Sequence, residues 1–204
     1  MYNILDSKHI KGSIGEIIVE DLIKSNCDII LIRNILIPYT KQNNSNSYLT
    51  EVDLIGINHF GIFLFEIKNI CGEIFGGKLD KHWVAVYHSN NEDKSYLIDN
   101  PILQNEFHCD KLRKLLYDVS IHNIPLYSFI LFTNSVSNLS LNSDIDNVFI
   151  VNDFINYYNN KFEAKEVLDD NLCNLLYKIF IELHRRYKLN QISNIINYNL
   201  CKSN

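Results

Sequence analysis

Thr50 to Ile70 reads TEVDLIGINHFGIFLFEIKNI, and the fold turns on this stretch. Two apolar runs, Tyr48 to Ile57 and Ile62 to Ile70, flank Asn58-His59-Phe60-Gly61, a separator short enough for a hairpin turn. With His59 and Phe60 at the turn centre, Asn58 faces Gly61 and paired residue numbers sum to 119. Asp53 then stands opposite Glu66, and Glu51 opposite Lys68. Directly paired residues share a face of the sheet, with Cβ atoms about 4.5–5.5 Å apart. A bulged turn at Gly61 would move the sum by one and separate these pairs. Strand alternation places Phe63, Phe65 and Ile67 on the core side and Glu66 and Lys68 on the other.

Carboxylates inside such apolar runs are the anomaly. Burial of a carboxylate costs several kcal/mol unless it is paired or holds a cation. On the residues alone two readings stand. Lys68 neutralises Glu66 or Glu51 in a plain ion pair, or Asp53 and Glu66 share a divalent cation.

Working outward, Ile14, Ile17, Ile18, Leu22 and Ile23 form a helical stripe over Gly12 to Ser25. Ile29 to Ile37 reads as a strand that stops at Pro38, followed by a polar loop over Lys41 to Ser47. Trp83 to Tyr87 reads as a short strand after a Gly-rich bend at Gly72, Gly76 and Gly77. Pro101 suits a first helical position, and Leu103, Phe107, Leu112, Leu115 and Leu116 carry that helix to about Ser120. Leu126 to Phe132 and Val148 to Val151 are further strands. Helices follow around Phe154 to Tyr158 and over Val167 to about Leu189, the latter with Leu168, Leu172, Leu175, Leu176, Ile179, Leu183 and Tyr187 on one face. The order α-β-β-β-α-β-β-α predicts an α/β fold with a mixed sheet flanked by helices.

With 204 residues, 47% of them apolar, the chain is long enough for one compact domain without disulfides or a structural metal. Its 19 basic and 24 acidic residues give a net charge of −5. That excludes nucleic-acid binding by bulk positive charge, while leaving room for a local basic rim or a metal. The five cysteines are scattered and form no CxxC pair, which points to free thiols in a reducing cytoplasm. Asp6, Lys8, His9 and Lys11 stand where an export signal would be apolar. The most apolar window, Cys27 to Pro38, is short and carries Asp28 and Arg33, so no membrane association is expected. His108-Cys109 lacks partners at zinc spacing and reads as packing. Lys111-Arg113-Lys114 and His184-Arg185-Arg186-Lys188 read first as solvated helix faces and second as phosphate contacts. Trp83, Tyr87 and Tyr96 read as packing before base stacking.

The blocks Lys11-Gly12-Ser13-Ile14-Gly15-Glu16, Thr50-Glu51-Val52-Asp53, Phe65-Glu66-Ile67-Lys68-Asn69 with Gly72, Trp83, and Asn100-Pro101-Ile102-Leu103-Gln104 occur in an order that resembles the nuclease-related domain family. That family is a branch of the PD-(D/E)XK phosphodiesterase superfamily, and the likeness spans roughly residues 11–133. Val52 stands where the superfamily label has Pro. The resemblance implies a restriction-endonuclease-like αβββαβ core in a nuclease domain over residues 1–151, with a helical extension over 152–204 packed on it. It also implies a metal-dependent nuclease that hydrolyses phosphodiester bonds in DNA, with RNA left open.

In family terms Asp53, Glu66 and the Ile67 backbone carbonyl would ligate Mg²⁺ or Mn²⁺, the hard ions such oxygens suit. Lys68 would orient the attacking water, Glu16 would join as a water-mediated or second-metal ligand, and Gln104 would hold the water or a substrate phosphate. Gly12 and Gly15 would let the first helix lie close to the sheet. The alternative is a catalytically weak or inactive module of the same fold that binds nucleic acid or a protein. Tyr157, Tyr158, Tyr177, Tyr187 and Tyr198 around the last helix raise a homodimer through the C-terminal helices as a further expectation.

Overall fold

The computed structural model describes residues 4–41, 46–88, 92–133 and 136–202. The elements run α1 (Ile4–Asn26), β1 (Ile30–Thr40), β2 (Ser47–Asn58), β3 (Gly61–Lys68), β4 (Gly72–Gly76), β5 (His82–His88) and β6 (Asp93–Asp99). They continue α2 (Pro101–Asp118), β7 (Leu126–Phe132), β8 (Val136–Leu141), β9 (Val148–Ile150), α3 (Val151–Asn160) and α4 (Asp170–Lys202). Most of the polar loop expected at Lys41 to Ser47 lies outside the described residues.

The β2–β3 hairpin has the register that the turn predicts: Asn58 pairs with Gly61, and the ladder runs up to Leu54 opposite Phe65. Asn58 closes the turn by accepting from the Phe60 N–H through Oδ1 (2.9 Å). Gly61 has φ +149°, and a Cβ there would run into the Pro125 carbonyl, so this corner needs a glycine. β3 then pairs in parallel with β7, and β7 in parallel with β9. Among the described residues this gives a mixed sheet in the order β1-β2-β3-β7-β9.

Several expectations need correction. β1 does not stop at Pro38 but runs to Thr40, with Pro38 opposite Leu49. It is an edge strand, where a missing N–H is tolerated. The Gly-rich bend is itself a strand, β4, in a second sheet of order β6-β5-β4-β8. Its glycines admit close neighbours: Gly72 abuts Val86 of β5, and Gly76 abuts the Trp83 ring. Trp83 is fully buried, donates from Nε1 to the Gly77 carbonyl (2.9 Å) and stacks near Phe132.

The inward face of α1 is Gly15, Val19 and Ile23, whereas Ile14, Ile17 and Ile18 are exposed. On α2 the buried row is Ile102, Asn105, His108, Cys109, Leu112 and Leu116, and Leu103 and Phe107 face outward. α4 packs Cys173, Leu176 and Phe180 onto the same apolar cluster as Ile35, Ile37, Val52 and Ile55, with Leu175 exposed. Opposite it, α1 and α3 cover Phe63, Phe65 and Phe129 with Val19, Ile23 and Phe154. β3 is therefore sandwiched between two cores; Ile67 still packs into the α1 and α3 core, while Glu66 and Lys68 bring charge to the opposite face at the strand's end.

Candidate active site

Asp53 sits at a break in the pleat. On β1, Ile32, Ile35 and Ile37 all enter one core, and on β2 so do Ile57, Ile55 and Val52. Strict alternation forbids that spacing, so both strands slip by one side chain between these residues. The pairing register is nonetheless unchanged, with Arg33 opposite Leu54 and Ile35 opposite Val52. The slip falls on Asn34 and Asp53. Asn34 has φ 56°, the left-handed region that asparagine tolerates better than most residues. Its carbonyl accepts from His184 Nδ1 of α4 (2.8 Å).

The β2–β3 ladder ends one pair short of Asp53 and Glu66, and Asp53 Oδ2 instead accepts from the Ile67 N–H (2.8 Å). Lys68 turns its carbonyl the other way, accepting from Thr133 N beyond β7 (3.1 Å). A residue in a strand points its N–H and C=O to the same edge, so the Ile67 carbonyl opens on the Asp53 side. The expected facing of Glu51 and Lys68 does not occur. Glu51 pairs with Leu36 and takes the Asn34 Nδ2 hydrogen bond (2.9 Å).

Glu66 is 1% exposed. Its Oε1 lies 2.6 Å from Lys68 Nζ, which also donates to Gln104 Oε1 (3.1 Å). Its Oε2 has no hydrogen-bond partner and lies 3.7 Å from His108 Nδ1, which has none either. Burial, with repulsion from Lys68 added, pulls His108 down to about 4, so its ring is neutral and this contact is not an ion pair. Burial likewise raises Glu66, against the opposing pull of Lys68. Asp53 is pushed up to about 8, first by burial and then by the Glu66 charge, with the Ile67 hydrogen bond opposing.

Glu16 comes from α1 on the other side of the sheet. A Cβ on Gly15 would stand 2.5 Å from the Asn69 Cβ, so that glycine lets the helix meet the end of β3; Gly12 has open space and has no such role. Asn34 Nδ2 donates to Glu16 (3.3 Å) as well as to Glu51. Glu16 is raised, mainly by burial, and its charge in turn raises both Asp53 and Glu66. Glu16 thus acts on Asp53 and Glu66, and Glu66 on Asp53; Lys68, steadied by Gln104, offsets the charge of Asp53 and Glu66, and Arg33 offsets that of Glu16.

Among the described residues no three His, Cys, Asp or Glu side chains form a ready-made metal cage. The donor set fits a different arrangement. Mg²⁺ keeps most of its waters and takes one or two carboxylates plus substrate oxygens. Asp53, Glu66 and the Ile67 carbonyl are hard oxygens of that type, and the unpartnered Glu66 Oε2 marks a carboxylate whose burial is not yet compensated.

Pattern reading missed the amides that hold this end of the molecule together. Asn100 caps α2 by accepting from Ile102 N (2.9 Å) while its Nδ2 donates to the carbonyls of Lys78 (3.0 Å) and Asp80 (2.7 Å). Asn105, fully buried, ties α2 to the sheet through the Leu64 carbonyl and Ser128 Oγ, both at 2.9 Å. His108 lies three residues past Asn105 and four past Gln104, helical spacings that were the available signal.

The family model for the nuclease-related domain matches residues 11–133, from α1 through the end of β7. Comparisons with curated proteins and with solved structures gave no match.

Proposed function

We propose, from the premise that this chain belongs to the nuclease-related domain family and so to the PD-(D/E)XK-like superfamily, that it is a Mg²⁺- or Mn²⁺-dependent nuclease hydrolysing phosphodiester bonds in DNA. One observation carries the reading: two carboxylates, Asp53 and Glu66, both raised by burial, meet at the end of β3 with Lys68 as the cation that acts on both, and one buried Glu66 oxygen is left unpartnered. Such an excess of acid at the end of an apolar strand is costly unless a cation joins it.

Asp53, Glu66 and the Ile67 carbonyl would hold the ion, with Glu16 reaching it through water. When bound, the ion supplies Lewis-acid polarisation of the phosphate and a bound water of lowered pKa. The remaining work belongs to the chain. Lys68, held by Glu66 Oε1 and Gln104 Oε1, keeps its ammonium where charge builds on phosphorus and where it can orient the attacking water. Gln104 retains its amide N–H groups for a phosphate oxygen or that water. His108, buried with its Nδ1 3.7 Å from Glu66 Oε2, flanks the carboxylate on the side away from Lys68.

The test is cleavage of supercoiled and linear DNA with Mg²⁺, Mn²⁺ or EDTA. Cutting is expected with either ion and not in EDTA. Asp53→Ala, Glu66→Ala and Lys68→Ala should each lose at least about a hundredfold in rate while still melting cooperatively. Undiminished cutting by Glu66→Ala protein overturns the mechanism. The inactive-module alternative draws on one feature, the Lys68 ammonium already seated on Glu66. Calorimetry with Mn²⁺ separates the two, because the nuclease takes up the ion and a site satisfied by Lys68 gives no heat.

A further inference from the structure

Beyond Gln104, α2 carries a second feature that the hydrolytic site does not use. Gln104, Phe107, Lys111, Leu115 and Asp118 follow one flank of the helix, at spacings of three and four residues. This flank faces the ends of β1 and β2. There Tyr39 meets Tyr48 (ring centroids 5.6 Å) and Phe107 edge-on (5.2 Å). Lys111 Nζ lies over the Phe107 ring (4.5 Å) and near the Tyr39 ring (5.8 Å), and Lys41 Nζ lies over Tyr48 (4.7 Å). Pro38, Tyr39, Ser47, Lys111 and Lys114 line a cleft of about 320 Å³ between helix and strands.

Two of the lysines here, Lys41 and Lys111, rest on ring faces and not on carboxylates. Among the described residues Lys41, Lys111 and Lys114 make no ion pair, whereas Arg113, their neighbour in sequence, is turned away onto Asp110 (3.0 Å). In a chain of net charge −5, Lys111 and Lys114 in the cleft and Lys41 beside it, against Asp118 on the cleft wall, give a local excess of positive charge beside three aromatic rings. Rings with an apolar face and cations without carboxylate partners are the two components a sequence-tolerant single-strand site combines: bases stack, and phosphates meet lysines. The flank rises about 1.5 Å per residue, so Lys111 lies about 10 Å along α2 from Gln104, a span of roughly two nucleotides of extended strand.

We propose that this cleft is a subsite for single-stranded nucleic acid, which receives the strand on one side of the scissile phosphate and makes the substrate a single strand or a duplex with a frayed end. The assignment rests on the nuclease reading for its position relative to the scissile bond, but not for binding itself.

The test is equilibrium binding of a fluorescent single-stranded 12-mer, and of the same sequence as a blunt duplex, to the intact chain in EDTA across a salt series. Wild-type protein should bind the single strand more tightly. The Lys111→Gln/Lys114→Gln double variant should lower the magnitude of the salt slope by about 1.4, two phosphate contacts at about 0.7 each. Phe107→Leu should weaken single-strand binding about tenfold and leave duplex binding nearly unchanged. Both alterations are at the surface of α2, and thermal melts check that each variant is folded; Lys114→Gln alone serves if the double variant is not. Equal affinity for single strand and duplex, or variants that bind as wild type does, overturns the cleft. Cleavage of DNA by wild type with Mn²⁺ is scored separately. Its loss refutes the nuclease reading while the binding data still decide the cleft, and its presence with unaltered variants refutes the cleft alone.

Discussion

The two sides of strand β3 are built from one alternating sequence yet do opposite things. One side presents Phe63, Phe65 and Ile67 to α1 and α3, where Phe63 and Phe65 stack with Phe129 at about 6 Å between centroids and Phe154 meets Phe65 edge-on. The other presents Ile62 and Leu64 to the α2 and α4 core and then changes character, ending in Glu66 and Lys68 beneath Gln104 and His108. Both sides exclude water. On the aromatic side burial is favourable throughout; at the polar end it is opposed by charge. The difference shows how a strand holds an ionic group in place: the stability comes from the reverse side of the same residues.

The comparison breaks if the aromatic side is dispensable. Phe63→Ala removes a fully buried ring and should cost about 3–5 kcal/mol, read as a lower urea midpoint at unchanged slope. Glu66→Gln, three residues further along the strand, should leave the metal-free protein equally or more stable, because burial disfavours the Glu66 charge and the amide keeps both the shape and an oxygen for Lys68. If Glu66→Gln is the more destabilising of the two in EDTA, the carboxylate is a structural ion-pair member and not a strained ligand.

A smaller effect, per unit of pH, sharpens the same contrast. Asp53 has its pKa raised from 3.8 to about 8, so over that window the folded protein keeps a proton that the unfolded chain releases. Its contribution is therefore full below about pH 4 and is lost as pH rises toward 8, at no more than about 1.4 kcal/mol per pH unit, and less to the extent that water reaches this half-buried group. Metal-free protein should melt at progressively lower temperature from pH 5 to 8, Mn²⁺ should reverse the trend, and Asp53→Asn should flatten it. A melting temperature independent of pH in EDTA would show that the acidic group is relaxed without any cation.

How much of this was legible in the sequence follows from where local rules suffice. The hairpin register was, because Asn58 and Gly61 fix the turn and the rest is counting. The slip at Asn34 and Asp53 was not, since it arises from two strands yielding together and leaves the count unchanged. Helix faces were misread for one reason in both cases. α1 is apolar on several sides, so Ile14, Ile17 and Ile18 outweighed the smaller Gly15, and α2 buries the polar Asn105 and His108 that a hydrophobic stripe passes over. Of the second sheet only β5 was legible, because its other strands lack an apolar alternation: β4 is bounded by glycines, β6 is nearly all exposed, and β8 reads VSNLSL. The pair Asp53 and Glu66 could be placed near each other by arithmetic, whereas the unpartnered oxygen of Glu66 depends on which residues α2 turns inward.

The smallest expected effect tests the seam where the aromatic side gives way to the polar end. Gly15 and Gly12 lie one turn apart on α1, and both carry the same intrinsic penalty for a glycine in a helix. Gly12 has nothing within 4 Å of an added Cβ, so Gly12→Ala should stabilise by about 0.5–1 kcal/mol through helix propensity alone. Gly15→Ala meets the Asn69 Cβ at 2.5 Å, just past Lys68, and must push α1 off the strand end, at a cost of about 1–3 kcal/mol. Moving α1 carries Glu16 away from Asp53 and Glu66, so Gly15→Ala should also weaken Mn²⁺ binding in calorimetry, while Gly12→Ala leaves it unchanged. Equal ion affinity in the two variants would detach Glu16 from the acidic group and leave Asp53 and Glu66 as its sole members.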